Sequence, residues 1–322
     1  MSLDTRGRYI FDGHPSRESE AHRLRQISLM YEQRTAALIC SIKPAPDSRI
    51  LDAGCGPGGA LCQFARSTKD LAYGLDLSIE LLEQARAEAN QQGLNNIRLV
   101  HGDMHNMPFD DEYFDIVFSR FAVKHAFEPV RCVTELSRVL KVGGRLCVIE
   151  KDTQAGLAMW FPAFPFAQIG LFQAINRLNA SPERGGNSNI GRQLKHLFVR
   201  NGIDVTSVSV ECCPLTKGDA PDADQHRDMF LNVYRNNVPV LVEKGLITPE
   251  SAYRDIATLE SYLTGEGNFA VSVNFTVVGT KRGCLPLEGD VSPLTVCLSQ
   301  APSATSALLG DQTDQTIKTG VN

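Results

Sequence analysis

Residues 49–59 read RILDAGCGPGG, and Asp76 stands 22 positions beyond Gly54. An apolar strand that runs into a glycine-rich turn and reopens as a helix leaves few folds open. Ile50 and Leu51 supply the strand, and Gly54-Cys55-Gly56-Pro57-Gly58-Gly59 the turn. Ala60-Leu61-Cys62-Gln63-Phe64-Ala65 then resumes at helical spacing. Glycine lacks a Cβ and tolerates positive φ, so backbone in such a turn can come close to a ligand. A second strand, Leu71 to Leu75, ends at Asp76, where a carboxylate can accept hydrogen bonds from a ribose diol. The spacing predicts a site for an adenosine-containing ligand.

The same spacing satisfies G-x-G-x-x-G at Gly54, Gly56 and Gly59, a pattern that alone does not separate a dinucleotide from other adenosine ligands. Asp52, two residues before the first glycine, puts a carboxylate at the strand end. There it repels a pyrophosphate and attracts an ammonium group. A third strand, Ile97 to His101, leads into HGDMHNMPF. In that phrase Asp103 suits the exocyclic amine of adenine and Met104 suits the ring face. S-adenosylmethionine carries both an amino-acid end and an adenosine end, and NAD does not. Each acid also has a plainer role open to it. Asp52 can bond the amides of the turn, and Asp76 can cap a helix, although Ser78 can take that cap instead.

Five motifs in this order resemble class I S-adenosylmethionine-dependent methyltransferases over residues 9–282. RILDAGCGPGG resembles the first motif, YGLDLS (73–78) the second with its ribose-binding acid, and HGDMHNMPF (101–109) the adenine-binding segment. FDIVFSRFAVKHAFEP (114–129) resembles the fourth strand and its following loop, and LKVGGRLCVIE (140–150) the next turn and strand. Within the family the chain is similar to small-molecule enzymes of the ubiquinone/menaquinone-biosynthesis type, with GGNSNIGRQLKHLFVRNGI (185–203) as a further point of likeness. The resemblance implies S-adenosyl-L-methionine as cofactor. It implies Asp52, Gly54, Gly56, Asp76, Leu77, Asp103, Met104 and Arg120 as cofactor-binding residues. It also implies an N-terminal lid in which Tyr9, Phe11, His22, Arg23 and Gln26 take part.

The fold expected is α/β, a Rossmann-like seven-stranded sheet with six parallel strands, an antiparallel seventh, and helices on both faces. Strand and helix signals alternate from 49 to 150, which implies βαβ units and right-handed crossovers. Residues 16–40 read as one amphipathic helix with Ser16 as cap, ended by Pro44-Ala45-Pro46. Ser78 to Asn90 reads as a helix with Gly93 just beyond it. After Glu150 the alternation stops, and Met159, Trp160, Phe161, Phe164, Phe166, Ile169 and Phe172 crowd a proline-interrupted stretch. That stretch predicts either core or the wall of a substrate pocket. Helices at 190–200, 224–243 and 249–264 and strands at 203–210 and 269–280 follow, with Thr248 and Pro249 opening the last helix. The organisation expected is a helical lid at 1–45 and a methyltransferase domain at 46–282. Its cofactor half is 46–152, with substrate-side insertions near 153–189 and 214–266. A tail at 283–322 has too little apolar content to order itself.

At 322 residues and 43% hydrophobic content the chain can bury one large core. A net charge of −5 without a run of Lys or Arg argues against nucleic acid. No apolar segment has the length of a membrane span, and the first 30 residues lack a secretory pattern. Nine cysteines without framework spacing read as a reduced, cytoplasmic protein. Vicinal Cys212-Cys213 can oxidise or bind metal, or simply be two strand thiols. No metal site is expected, and a homodimer is compatible with the sequence.

Two residues bear on the chemistry. Arg120 ends the fourth strand, where it can bind the cofactor carboxylate, a substrate anion or a surface acid. His125 follows on the loop at the carboxyl end of the sheet, where open α/β folds hold ligands. It is the candidate catalytic base, with an unperturbed pKa near 6.5 suited to a hydroxyl or acidic carbon; loop packing is its plain alternative. The function expected is methyl transfer to a small, apolar or aromatic metabolite, in quinone or secondary-metabolite biosynthesis. A rival keeps the fold and cofactor but catalyses a cyclisation or rearrangement. A second, an NAD-dependent oxidoreductase, lacks any Tyr-x-x-x-Lys after the fourth strand.

Overall fold

The computed structural model describes residues 17–152, 158–160, 169–179, 186–187 and 189–283. All lie in one compact unit that extends to Cys284. Ser16, Tyr9, Phe11, Phe161, Phe164, Phe166 and the segment after 283 fall outside the described residues.

The chain opens with α1 (Arg17–Met30) and α2 (Glu32–Ile42) rather than with one helix. The break falls at Tyr31, whose φ of −97° and ψ of 7° leave the helical region. Tyr31 is 1% exposed, and Asn274 Nδ2 donates to its hydroxyl at 2.6 Å. A tertiary anchor thus overrides a continuous helical pattern. The alternating unit follows: β1 (Ile50–Ala53), α3 (Gly59–Arg66), β2 (Ala72–Asp76), α4 (Ile79–Gln91), β3 (Ile97–His101), β4 (Phe114–Arg120), α5 (Pro129–Val139) and β5 (Leu140–Lys151). Ser78 caps α4 by accepting from the Leu81 amide at 3.2 Å. Beyond come β6 (Ala158–Trp160), α6 (Gly170–Asn179), α7 (Ile190–Arg200), β7 (Ile203–Pro214), α8 (Ala223–Glu243), α9 (Pro249–Thr264) and β8 (Phe269–Lys281). Strand β7 runs four residues past the expected Val210, because its pairing with β8 continues to Pro214↔Val271.

The sheet runs β3-β2-β1-β4-β5-β8, with β7 on the far side of β8. Strands β1 to β5 pair in parallel, and β8 is antiparallel to both β5 and β7. Six parallel strands and one antiparallel strand therefore make up the seven columns. The short β6 pairs with β8 at Ala158↔Val271, a residue whose other edge meets Pro214, so β6 continues the column of β5. Between β1 and β4 the order reverses, and it is at such a switch point that a parallel sheet opens a crevice beyond its carboxyl ends.

Two cores support this arrangement. One lies between the sheet and its helices and includes Leu51, Phe114, Leu136, Leu146, Leu194 and Phe198. The other joins α6, α8 and α9 through Leu171, Leu178, Leu231, Leu241, Leu259 and Leu263. The second is a helical cap over the carboxyl end of the sheet. Among the described residues no helix is long and apolar enough to cross a membrane.

Candidate active site

Strand β1 is buried along all four residues, as an interior parallel strand should be. Three are apolar and the fourth is Asp52, 2% exposed. Its Oδ2 has no hydrogen-bond partner among the described residues. Burial pushes its carboxyl up to about 7, against the pull of Arg120 and with a smaller push from Asp76. A buried carboxylate oxygen without a hydrogen bond is costly unless a ligand completes it.

The glycine turn departs from β1 with the amides of Gly54 and Cys55 both donating to Leu75 O, at 2.7 and 3.0 Å. Gly54 has φ +75°, and a Cβ there would lie 2.4 Å from the Ala122 Cβ. Gly56 has φ +52° with open space where a Cβ would stand. Its amide donates to Asp76 Oδ2 at 2.8 Å, while Asp76 Oδ1 accepts from the Ser78 amide at 2.9 Å. Asp76 thus locks the turn to the start of α4 and still faces the cavity beside Leu77. Asp103 follows β3. His105 holds its Oδ1 through both its own amide, at 2.9 Å, and Nδ1, at 2.7 Å. The Glu128 amide donates to His105 Nε2 at 3.2 Å, so the neutral imidazole carries its proton on Nδ1. His105 therefore splints the Asp103-Met104 segment to the start of α5.

From the end of β4 the chain passes Arg120, then Phe121 at φ +57°, then a 3₁₀ turn over Val123–His125. A positive φ is unusual for a bulky aromatic residue and clusters at functional sites. Arg120 donates to Thr35 Oγ1 at 2.8 Å, and its guanidinium lies 5.5 Å from the Tyr31 ring centroid. It forms no ion pair among the described residues but lines the cavity near Asp52. Burial lowers its pKa, and Asp52 counters. His125 lines the same cavity, and its amide donates to Ala122 O at 3.0 Å. The turn is braced by Glu150, which is fully buried and whose Oε1 accepts from the Lys124 amide at 3.1 Å. Burial pushes the Glu150 carboxyl up to about 7, and Lys124 partly offsets it.

One cavity of about 270 Å³ thus brings together Asp52, Gly54, Gly56, Asp76, Leu77, Asp103, Met104, Arg120 and His125. Of the expected lid residues, Arg23 lines it, joined by Leu24, Ile27 and Ser28 of α1, while His22 and Gln26 are exposed. Of the aromatic stretch at 159–172, the described side chains fall on the core alternative, and those of 159–168 lie outside the described residues. Ile169 is in the cap core with Phe172 packed against it, and the described wall comes from Phe230, Val233 and Tyr234 of α8 and Ser272 and Val273 of β8. Phe172 backs Tyr234 at 5.1 Å between ring centroids. Sequence reasoning also missed Lys124, Lys151 and Asp152. The charged run Glu150-Lys151-Asp152 at the end of an apolar strand was the available signal; nothing in α8 singled out Phe230 or Tyr234.

The residues fit S-adenosylmethionine. The orphaned Asp52 oxygen suits its ammonium, the open space at Gly56 its close approach, Asp76 its ribose, and Asp103 with Met104 its adenine. The chain is similar in fold, and over part of its length in sequence, to class I S-adenosylmethionine-dependent methyltransferases. Residues 51–148 match the family described as a methyltransferase domain. The ubiquinone/menaquinone biosynthesis C-methyltransferase UbiE of Vibrio parahaemolyticus is 30% identical over 38% of this chain and 49% of its own length. A 37.1 kDa protein of a Streptomyces fradiae transposon is 30% identical over 62% and 55% of the two lengths. The YcgJ protein of Bacillus subtilis is similar in structure, with a TM-score of 0.53 at 21% identity, covering 78% of this chain and 98% of that one. The chain spans about half the length of the curated relatives it matches.

Proposed function

We propose that this chain transfers a methyl group from S-adenosylmethionine to a small metabolite with an apolar or aromatic skeleton. The observation that carries the reading is the buried, unpartnered Asp52 oxygen opening onto the cavity that holds Asp76 and Asp103. Three acids at the carboxyl ends of adjacent strands suit a cationic amino-acid and nucleoside ligand and oppose a pyrophosphate. When bound, S-adenosylmethionine supplies a methyl group activated by its sulfonium.

The chain's own part is positioning and exclusion of water. Leu24 and Ile27 of α1 and Phe230, Val233 and Tyr234 of α8 line the cavity. Where the acceptor atom carries a proton, an imidazole nitrogen of His125 takes it as the new bond forms. Glu150 supports this by fixing the turn that carries His125. The matched methyltransferases named for quinone biosynthesis support a small-molecule acceptor, and secondary metabolism suits the same cavity.

Release of S-adenosylhomocysteine, followed over a panel of phenolic, enolic and carboxylic acceptors, tests the reading. His125→Ala is expected to lower turnover by about 10²–10⁴-fold on a protonated acceptor while cofactor affinity holds. A His125→Asn enzyme with normal turnover reduces the residue to loop packing. Calorimetry that finds no binding of S-adenosylhomocysteine rejects the function itself.

A further inference from the structure

The segment from Asp103 to Phe109 is strapped to α5. At its start the Asn106 amide donates to Asp103 O at 3.1 Å and closes a turn. Further on, Glu135 Oε2 accepts from the Met107 amide at 2.9 Å. Arg138 donates to Met107 O at 3.0 Å and to Phe109 O at 2.8 Å. Glu135 and Arg138 both belong to α5. Residues 102–105 line the cavity, and a Cβ on Gly54 would lie 3.4 Å from Met104 Sδ. The strapped segment therefore stands against the glycine turn.

His105 makes the remaining link. Its amide and its Nδ1 converge on Asp103 Oδ1, at 2.9 and 2.7 Å, and its Nε2 meets the Glu128 amide at 3.2 Å. Glu128 directly precedes α5. An amide N–H only donates, so Nε2 carries no proton and Nδ1–H donates to the carboxylate. The imidazole is a strut between the start of α5 and one oxygen of Asp103. The side chains of His105 and Asp103 are 16% and 19% exposed, so water competes little for their bond. Two donors on one oxygen restrain the plane of the carboxylate. A carboxylate offers about four acceptor sites, so those two bonds do not fill it.

Building on the cofactor reading above, we propose that His105 is a positioning residue for adenine: it orients the Asp103 carboxylate so that the cavity selects a purine with a 6-amino group. Asp103 accepts an N–H of that amine. A carboxylate oriented beforehand loses little freedom when the base arrives, so more of the bond counts towards discrimination. A purine with hydrogen at position 6 brings no donor there and leaves the shielded carboxylate short of a partner.

Calorimetry on the full chain compares S-adenosylhomocysteine with its 6-deamino twin, in which purine replaces adenine. The parent is expected to bind the amino form about tenfold or more tightly, as a charge-assisted hydrogen bond provides. Variants of His105 separate the two ends of the imidazole. His105→Asn keeps a side-chain N–H near the place of Nδ1 and should retain most of the preference. His105→Gln keeps a polar atom only near the place of Nε2, and His105→Leu keeps neither, so both should lose most of it. In those two, melting temperature and affinity for the deamino twin should stay near the parent's, whereas a merely structural histidine would weaken both ligands alike. No preference in the parent, its survival in His105→Leu, or an equal loss for both twins overturns the proposal while the methyltransferase reading stands. So does a preference kept by His105→Gln and lost by His105→Asn, which would assign the effect to the Glu128 bond. A parent that binds neither twin removes the methyltransferase reading as well.

Discussion

Asp52 sits in a strand with no exposed residue, and one of its oxygens lacks a partner. Its pKa in the folded protein is raised to about 7 from 3.8. Between these values the folded protein holds a proton that the unfolded chain has lost. The group therefore weakens the fold progressively as pH rises through that window, and its effect is constant above it. An ammonium ligand would stabilise the carboxylate and reverse the shift. Binding of S-adenosylhomocysteine is thus expected to release protons between about pH 5 and 7. Calorimetry in buffers of different ionisation enthalpy reads this directly. Asp52→Asn should lose the release and weaken binding by about 1–3 kcal/mol, the usual cost of an unmet buried donor. Equal proton release in that variant would assign the linkage to another group. Of the acids, Asp76 is held by two backbone amides and Asp103 by His105, so Asp52 is the one with an oxygen still to satisfy.

The element that depends most on distant support is the Val123–His125 turn. It is three residues long, and its backbone is held from β5 by Glu150. Glu150→Ala removes the acceptor for the Lys124 amide and should cost about 1–3 kcal/mol of stability. Glu150→Gln keeps a carbonyl acceptor there. It should also flatten the pH dependence, because a carboxyl raised to about 7 weakens the fold as pH climbs towards that value. Thermal melts from pH 5 to 8 compare the three proteins. An alanine variant as stable as the glutamine variant would show that the turn holds without Glu150. The N-terminal helices are a second such element. Thr35 of α2 receives Arg120, so α2 orients a residue of the cavity from outside the sheet.

At the scale of the whole molecule, the described core closes at the end of β8, where Arg282 donates its amide to Gly202 O and its side chain pairs with Asp204. Residues beyond 283 are rich in Ser, Thr, Gly and Asp. A chain ending at Gly283 is expected to keep its melting temperature and its affinity for S-adenosylhomocysteine, since such a composition offers little burial to offset ordering. A clearly lowered melting temperature would give the tail a packing role. The sequence by itself determined the alternating sheet, the glycine turn and the line of acids at 52, 76 and 103. Those features rest on signals within a few residues of one another: apolar runs, a glycine turn, an acid at the strand end. Only the tertiary structure decided which residues face those acids. Insertion of β8 between β5 and β7 carries Ser272 and Val273 to the cavity, and the folding of α8 over the sheet brings Phe230 and Tyr234 there. Lys151 came to line the same cavity in the same way, and α1 and α2 split because Asn274 anchors Tyr31 from the far end of the chain. Such contacts leave no local periodicity, because they depend on where the sheet order puts each strand and not on the sequence next to it.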